Sequence, residues 1–403
     1  MIFGTVISLF TGAMGLDLGL DREGFQVRIA LDEDPWAIET VKVNRSKLQY
    51  PDVEVICDAV GNVSTGTMLE KARLNVGEAT VCSGAPPCEP YSTAGKRNGQ
   101  QDHRADTIIQ FIRVIEEARP QYFVLEEVKG FLSAAKKHVS FYDRVGMGPD
   151  ELEPEEKLGS LFKELMAAFI STGYALSYDP DDPKASVLDA ADFGAPQHRQ
   201  RFILIGAREG PTPVLPSPTH GPHGTQEWVT LHAALDDLDD SCPQYPDFPS
   251  TWGRYLESVP PGGCWRDLPP HLQREALGGA YDDPDNPRTR GKKGGRTGFL
   301  RRLSWQRPSP TLVDRPNTRA CCLCHPDETR PLSLKEYARL QGFPDDWEFV
   351  GPEKPQDHLK VAYRLVGQAT PVRLAQAVAD TIKAHLIARA ELETSTQPVT
   401  ATL

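Results

Sequence analysis

Hydrophobic positions along this chain fall into short β-branched and aromatic runs separated by stretches of helical period. "FGTVISLF" (residues 3–10) is the first run and stops at a glycine turn; a helical stretch follows, then "FQVRIALDED", a strand ending in acids. "VEVICDAV" and "ATVCSGAPP" repeat the form. "TIIQFIRVIEEARPQYFVLEEV" predicts a helix and a strand, and "LFKELMAAFISTGYALSYDP" leads through one more such unit to "DFGAPQHRQRFILIGARE". Strands alternating with helices predict an α/β fold with a mostly parallel sheet. After about residue 207 the texture changes: residues 208–330 are rich in Pro, Gly, Trp and charge without clean periodicity, which predicts a second domain or long insertion, irregular or built on short strands. Periodicity resumes in "LSLKEYARLQGF" and in the amphipathic "PVRLAQAVADTIKAHLIARA", and the final residues read as a frayed tail.

Composition narrows the class. A chain of 403 residues is long enough for two domains with a sizeable core. No run approaches the roughly 18–20 apolar residues of a membrane span, so no membrane partner is expected. The opening "MIFGTVISLFTGAMG" lacks a basic leader and reads straight into a strand, unlike a signal peptide. Eight cysteines without regular spacing suit a reducing cytoplasm rather than a disulfide scaffold. The net charge of −12 argues against indiscriminate coating of nucleic acid but leaves room for a local basic groove.

In parallel sheets ligands gather at the carboxyl ends of the strands, and the unusual residues of this chain sit there: Gly12, Asp32, Asp58, Cys88 and Glu126. "SLFTGAMGLDLGL" places glycines at 12, 15 and 19 between a strand and a helix, where the backbone can turn tightly and approach a ligand. Asp32 ends the next strand, where an acid can hold a ribose hydroxyl pair, and Asp58 ends the third, within reach of an adenine amino group. Together these predict a nucleoside-bearing cofactor, either a dinucleotide or S-adenosylmethionine.

Cys88 lies in "SGAPPCEPYS", with Pro-Pro before it and Glu-Pro after. Proline fixes its own φ and pushes its predecessor to extended geometry, so the segment cannot become helix and the sulfur is aimed. Glu126 ends the hydrophobic strand adjoining that of Cys88. Gln197, Arg199 and Arg201 alternate in "APQHRQRFILIG" and share one face of an extended segment. Two arginines aimed one way suit an anion or a carbonyl-rich ligand. A thiol, an acid and two arginines beside a nucleoside site suggest nucleophilic attack on a polar heterocycle.

With these residues in hand, the chain resembles the DNA (cytosine-5) methyltransferases of bacterial type over nearly its whole length. "LFTGAMGLDLGL" is similar to the family's first cofactor motif, "APPCEPYS" to its Pro-Cys motif, "LEEVKGF" to its Glu-Asn-Val motif and "QHRQRFILIG" to its Gln-x-Arg-x-Arg motif. "RPLSLKEYARLQGFPDDWEF" and "VGQATPV" resemble the two motifs that follow the family's variable region. The resemblance implies a Rossmann-like S-adenosylmethionine-dependent sheet with helices on both faces, formed by residues 1–206 and 331–390. It also implies a target-recognition domain over 207–330 and a tail over 391–403.

The resemblance further implies a cytoplasmic, monomeric enzyme that acts on double-stranded DNA, with a cognate restriction endonuclease in the same system. Cys88 would add to carbon 6 of a cytosine flipped out of the duplex. Glu126 would hold N3 and assist its protonation, and Arg201, with Arg199 beside it, would bind the base carbonyl and steady the loop. Phe10, Gly12, Gly15, Asp32, Asp58, Pro86 and Gln368 would line the S-adenosylmethionine pocket.

Departures from the family pattern are Met14 for a glycine of the first motif, Glu89 for glutamine after the nucleophile and Glu127 for the asparagine of Glu-Asn-Val. Leu365 and Gln368 replace glutamine and asparagine in the last motif. The Met14 exchange is expected to alter the turn near the cofactor, and Gln368 leaves the methyl-donor pocket open to variation. In the variable region, "RTRGKKGGRTGFLRR" (288–302) has seven basic residues and no acid. In an acidic protein such a run suits the phosphate backbone, which nominates Lys292, Lys293 and Arg296; Thr311 and Leu312 resemble the Thr-hydrophobic pair that closes the family's recognition domain. "CCLCH" (321–325) lacks a second ligand pair at metal spacing and reads as core packing, so no metal is assigned.

Three other functions compete. A tRNA cytosine-5 methyltransferase would use the same chemistry, a nicotinamide dehydrogenase would leave Cys88 and Glu126 idle, and a catalytically impaired DNA-binding homologue would leave the reactive residues without purpose.

Overall fold

A computed structural model of the chain describes residues 2–87, 105–137, 139, 151–278, 298–318 and 321–395. Its centre is an eight-stranded mixed sheet in the order β3-β2-β1-β4-β5-β8-β6, with β7 also on β8. The strands are β1 (Gly4–Leu9), β2 (Phe25–Asp32), β3 (Glu54–Cys57), β4 (Val81–Gly84), β5 (Tyr122–Val128), β6 (Ala175–Leu176), β7 (Val187–Asp189) and β8 (Gln200–Ala207). The first five pair in parallel, whereas β6, β7 and β8 join antiparallel. The helices that matter here are α1 (Gly15–Arg22), α2 (Pro35–Asn44), α3 (Thr65–Ala72), α4 (Ala105–Ala118), α5 (Ser160–Ser171), α6 (Pro270–Leu277), α7 (Leu334–Gln341), α8 (Pro355–Gln368) and α9 (Val372–Ser395).

Alternation along each strand sorts the core into two layers. Tyr122 and Val124 of β5, with Ile203 and Ile205 of β8, face a cluster that α1, α2 and the C-terminal helices α7–α9 complete. Phe123 and Leu125, with Phe202 and Leu204, face a cluster built with α3, α4 and α5. The strands carry near-continuous apolar runs because both faces are covered, as in other three-layer α/β folds.

Strand order reverses between β1 and β4, the switch point where a crevice opens at the strands' carboxyl ends. The wall of that crevice comes from both ends of the chain. Gly15 and Gly19 of α1 lie so close to the C-terminal segment that an added Cβ would stand 2.3 Å from the Thr370 carbonyl and from Ala375 Cβ, respectively. Gly15, expected to touch the cofactor, therefore has a packing reason of its own: it lets the 369–375 backbone lie directly on α1.

A third cluster, formed by residues including Trp252, Leu256, Trp265, Phe299 and Cys322, stands apart from the sheet. Short strands were one expectation for the segment after 207. Among the described residues it holds instead α6, shorter helical turns such as Leu231–Leu235 and Gly253–Leu256, and isolated bridges such as Arg302 with Cys324. Loops of this kind need internal polar partners, and Arg302 supplies them. Its buried guanidinium donates to the carbonyls of Leu256 (2.7 Å), Val259 (3.0 Å), His325 (3.0 Å), Pro326 (3.3 Å) and Glu328 (3.0 Å), and to Thr329 Oγ1 (3.0 Å). The last residue of the basic run is thus a core staple and not a phosphate contact. Arg302→Ala is expected to strand several buried carbonyls and lower stability by at least ~3 kcal/mol, which urea unfolding followed by tryptophan fluorescence would measure.

Candidate active site

The β1–α1 turn is unusual in its backbone. Phe10 (φ 56°), Gly12 (φ 52°) and Met14 (φ 69°) all occupy the left-handed region. Glycine does this without cost; a side-chain residue pays of order 1–3 kcal/mol. Met14 is also fully buried in the core, which returns roughly 1.5–3 kcal/mol. Methionine, where the family pattern has glycine, thus takes a left-handed position here, and packing offsets its strain. Above Gly12 the space is open, with nothing within 4 Å of an added Cβ.

Asp32 closes β2 beside this turn. Its Oδ2 accepts the Gly12 N–H at 2.8 Å and its Oδ1 the Asp34 N–H at 2.9 Å. Burial raises its carboxyl above the usual range, partly opposed by those two backbone bonds. Each carboxylate oxygen retains a further lone pair, so the pair of bonds orients the group without exhausting it. Arg364 of α8 pairs with Asp34 Oδ2 (2.6 Å) in the neighbouring β2–α2 turn. Asp58, exposed at the end of β3, accepts the Ala59 N–H and the Asn62 amide on Oδ1, both at 2.8 Å. Pro86 is buried just past β4, and Gln368 is exposed at the end of α8. Phe10, Gly12, Asp32, Asp58, Pro86 and Gln368 all lie in turns or ends at this rim of the fold. Cys88 falls outside the described residues, as do Lys292, Lys293 and Arg296.

At the end of β5, Glu126 is buried and forms an ion pair with Arg201 Nε of β8 at 2.7 Å. Antiparallel pairing sets this contact: Val128 lies opposite Arg201 and Glu126 opposite Ile203, so the two side chains share the face of α1 and α9. Arg201 also donates to the Gln200 carbonyl at 2.9 Å.

Arg199 was expected to stand with Arg201 at the base. Its guanidinium is instead buried and donates to the carbonyls of Leu312 (2.6 Å), Gly367 (2.8 Å) and Gln368 (3.4 Å). It joins the entrance of β8, the end of the irregular region and the end of α8, so steadying the segment is the part of the expectation its geometry serves. Thr311, expected on DNA, likewise gives its hydroxyl to the His198 carbonyl at 2.7 Å. Gln197 completes the joint: its Oε1 accepts the Leu312 N–H (3.3 Å), and its amide donates to the Leu340 carbonyl (3.1 Å) and to Gln341.

Two further buried carboxyls lie near the site: Glu127, noted as a departure from the family pattern, and Asp17, not singled out from the sequence. Glu127, opposite in facing to Glu126, is wholly buried, and its Oε2 accepts the Val128 N–H at 3.0 Å. Burial raises its carboxyl well above the usual range, opposed by the Val128 N–H and reinforced by the charge of Glu126. Asp17 in the first turn of α1 has no exposed surface and accepts the Thr11 hydroxyl. Burial pushes its carboxyl up to about 6 against the hydroxyls of Thr11, Ser8 and Ser83, which lower it. A sequence signal existed for Asp17: an acid among leucines and glycines in "GLDLGL" has no polar face to occupy.

The family model described as C-5 cytosine-specific DNA methylase matches residues 4–384 of the chain. Similar relatives include the type II methyltransferase M.PspPI of a Psychrobacter strain, 32% identical over 94% of this chain and 78% of that one. Another is the type II methyltransferase M.Sau96I of Staphylococcus aureus, 30% identical over 94% of this chain and 76% of that one. Among solved structures, a methyltransferase of Entamoeba histolytica superimposes with a TM-score of 0.58 at 14% identity, covering 95% of this chain and 98% of that one. That likeness bears on the fold.

Proposed function

The chain belongs to the C-5 cytosine-specific DNA methylase family, and on that premise we propose that it methylates a flipped cytosine in a specific duplex site through Cys88, Glu126 and Arg201. The observation that carries the proposal is the buried Glu126–Arg201 pair at the end of β5, next to the strand that runs into Cys88. It lies across the switch point from the Gly12–Asp32 turn.

Carbon 5 of cytosine is a poor nucleophile within the aromatic ring. Addition of the Cys88 thiolate to carbon 6 makes carbon 5 enamine-like and able to attack an electrophile. Glu126, steadied by Arg201, holds the ring at N3 and assists the protonation that lets it accept electron density. Arg201 has remaining guanidinium donors for the base carbonyl. After transfer, loss of the carbon-5 proton and elimination release Cys88. S-adenosylmethionine, when bound, supplies the electrophilic sulfonium methyl. The open space over Gly12 and the preset Asp32 carboxylate fit the nucleoside part of such a donor: Asp32 would take the ribose hydroxyls, Asp58 the adenine amino group, and Phe10, Pro86 and Gln368 would line the pocket.

Residues 207–330 would form the target-recognition domain, held to the catalytic part through Thr311, Leu312 and Arg199. The family match and the two type II methyltransferases named above support double-stranded DNA as substrate. Bisulfite sequencing of DNA from a host expressing the chain is expected to show protected cytosines at one short recurrent site; unprotected DNA would overturn the proposal, and protection confined to tRNA would favour the RNA reading.

Lys292, Lys293 and Arg296 are assigned to the phosphate backbone. Neutralising all three should weaken binding to every duplex about equally and flatten its salt dependence, leaving the protected sequence unchanged. A changed bisulfite pattern would mean that the run reads bases.

A further inference from the structure

From the burial and hydrogen bonding of Asp17 we infer that it is a positioning residue that fixes the β1–α1 turn of the proposed cofactor pocket through Thr11. The inference rests on the proposed S-adenosylmethionine pocket and names a residue of α1 that holds it in shape. Asp17 is fully buried, its Oδ2 takes the Thr11 hydroxyl, and its Oδ1 has no hydrogen-bond partner. Among the described residues, the groups facing it are the hydroxyls of Ser8 and Thr11 from β1 and its turn and of Ser83 from β4. One turn along α1 lies the carboxylate of Asp21.

β1 and β4 are neighbours in the sheet, with Ser8 opposite Ser83 in register. They flank the switch point, so Asp17 faces the base of the crevice between them. Thr11 lies inside the stretch in which Phe10, Gly12 and Met14 are left-handed. Such a turn persists only where its surroundings over-determine it. Asp17 holds it from below through Thr11, while Asp32 holds it from the side through the Gly12 N–H. The helix N-terminus favours the charged form that accepts the Thr11 hydroxyl, whereas burial opposes it. A buried group of this kind costs stability, and a pure packing role would not explain its presence.

The test is Asp17→Asn, compared with the parent by calorimetric binding of S-adenosylmethionine, by steady-state kinetics and by thermal melting of the ligand-free protein against pH. Loss of the charge should weaken S-adenosylmethionine binding and raise its KM roughly tenfold, as for a hydrogen bond to a charged group, with a much smaller change in kcat. The parent should show the same weakening as pH falls through about 6, and Asp17→Asn should not. The folded-state carboxyl is raised from 3.8 to about 6, so the folded chain holds a proton that the unfolded chain has released, and stability falls as pH rises through that window. Asp17→Asn should lack this slope and melt at or above the parent at pH 7.5.

Thr11→Val, which breaks the same link from the turn, should weaken binding in the same direction, and the double variant should be no worse than the stronger single. Parent-like binding by Asp17→Asn, or additive losses in the double variant, would overturn the inference. A parent that binds no S-adenosylmethionine would instead overturn the cofactor reading, while the melting comparison would still report on Asp17.

Discussion

A Cys88→Ala enzyme is expected to lose methyl transfer by roughly 10⁴-fold or more, while binding S-adenosylmethionine within a few-fold of the parent. The split follows from the proposed roles. The thiol makes carbon 5 reactive, and nothing else in the proposed site can add to carbon 6, whereas the nucleoside pocket is built from β1, β2 and β3. A duplex carrying 5-fluorocytosine at the target should trap the parent as a covalent adduct, because the fluorine at carbon 5 cannot leave as a proton does and elimination stalls. Cys88→Ala should give no adduct on denaturing gels. Substantial turnover by Cys88→Ala would end the mechanism proposed here.

Much of this site was legible because strand ends and alternation are local properties. The position of Asp32 after a strand, and the shared parity of Arg199 and Arg201, needed only a few residues of context. What Arg199 does was not legible: its partners Leu312 and Gly367 lie 113 and 168 residues away, and extended-strand parity says which face a side chain takes, not what covers it. The basic run misled in the same way at its end. Counting charges cannot separate an arginine that meets phosphate from Arg302, which satisfies carbonyls in a loop-built core. Asp17 was missed for a related reason. Its burial depends on distant chain: glycines at 15 and 19 let the C-terminal segment close over α1. The irregular segment carried no period to read, because its order comes from Arg302 and scattered bridges rather than from a repeating pattern.

Glu126→Gln is expected to lower the chemical step by roughly 10²–10⁴-fold, the usual contribution of a positioned acid–base group, with DNA and S-adenosylmethionine affinities little changed. The amide preserves volume and can still face Arg201, but it cannot carry the proton that N3 requires. The adjacent residue provides the control. Glu127 is buried on the other face of β5, where burial raises its carboxyl well above the usual range, and in its protonated form a carboxyl offers one donor and one acceptor much as an amide does. The glutamate found where the family pattern has asparagine is therefore a near-equivalent in hydrogen bonding. Glu127→Asn should leave turnover within about tenfold, since a shorter neutral group in a packed site costs some stability but no charge. Single-turnover methylation separates the two, because it reads the chemical step apart from product release. Equal losses in both variants would mean that Glu126 acts only as a partner for Arg201 and not as the acid.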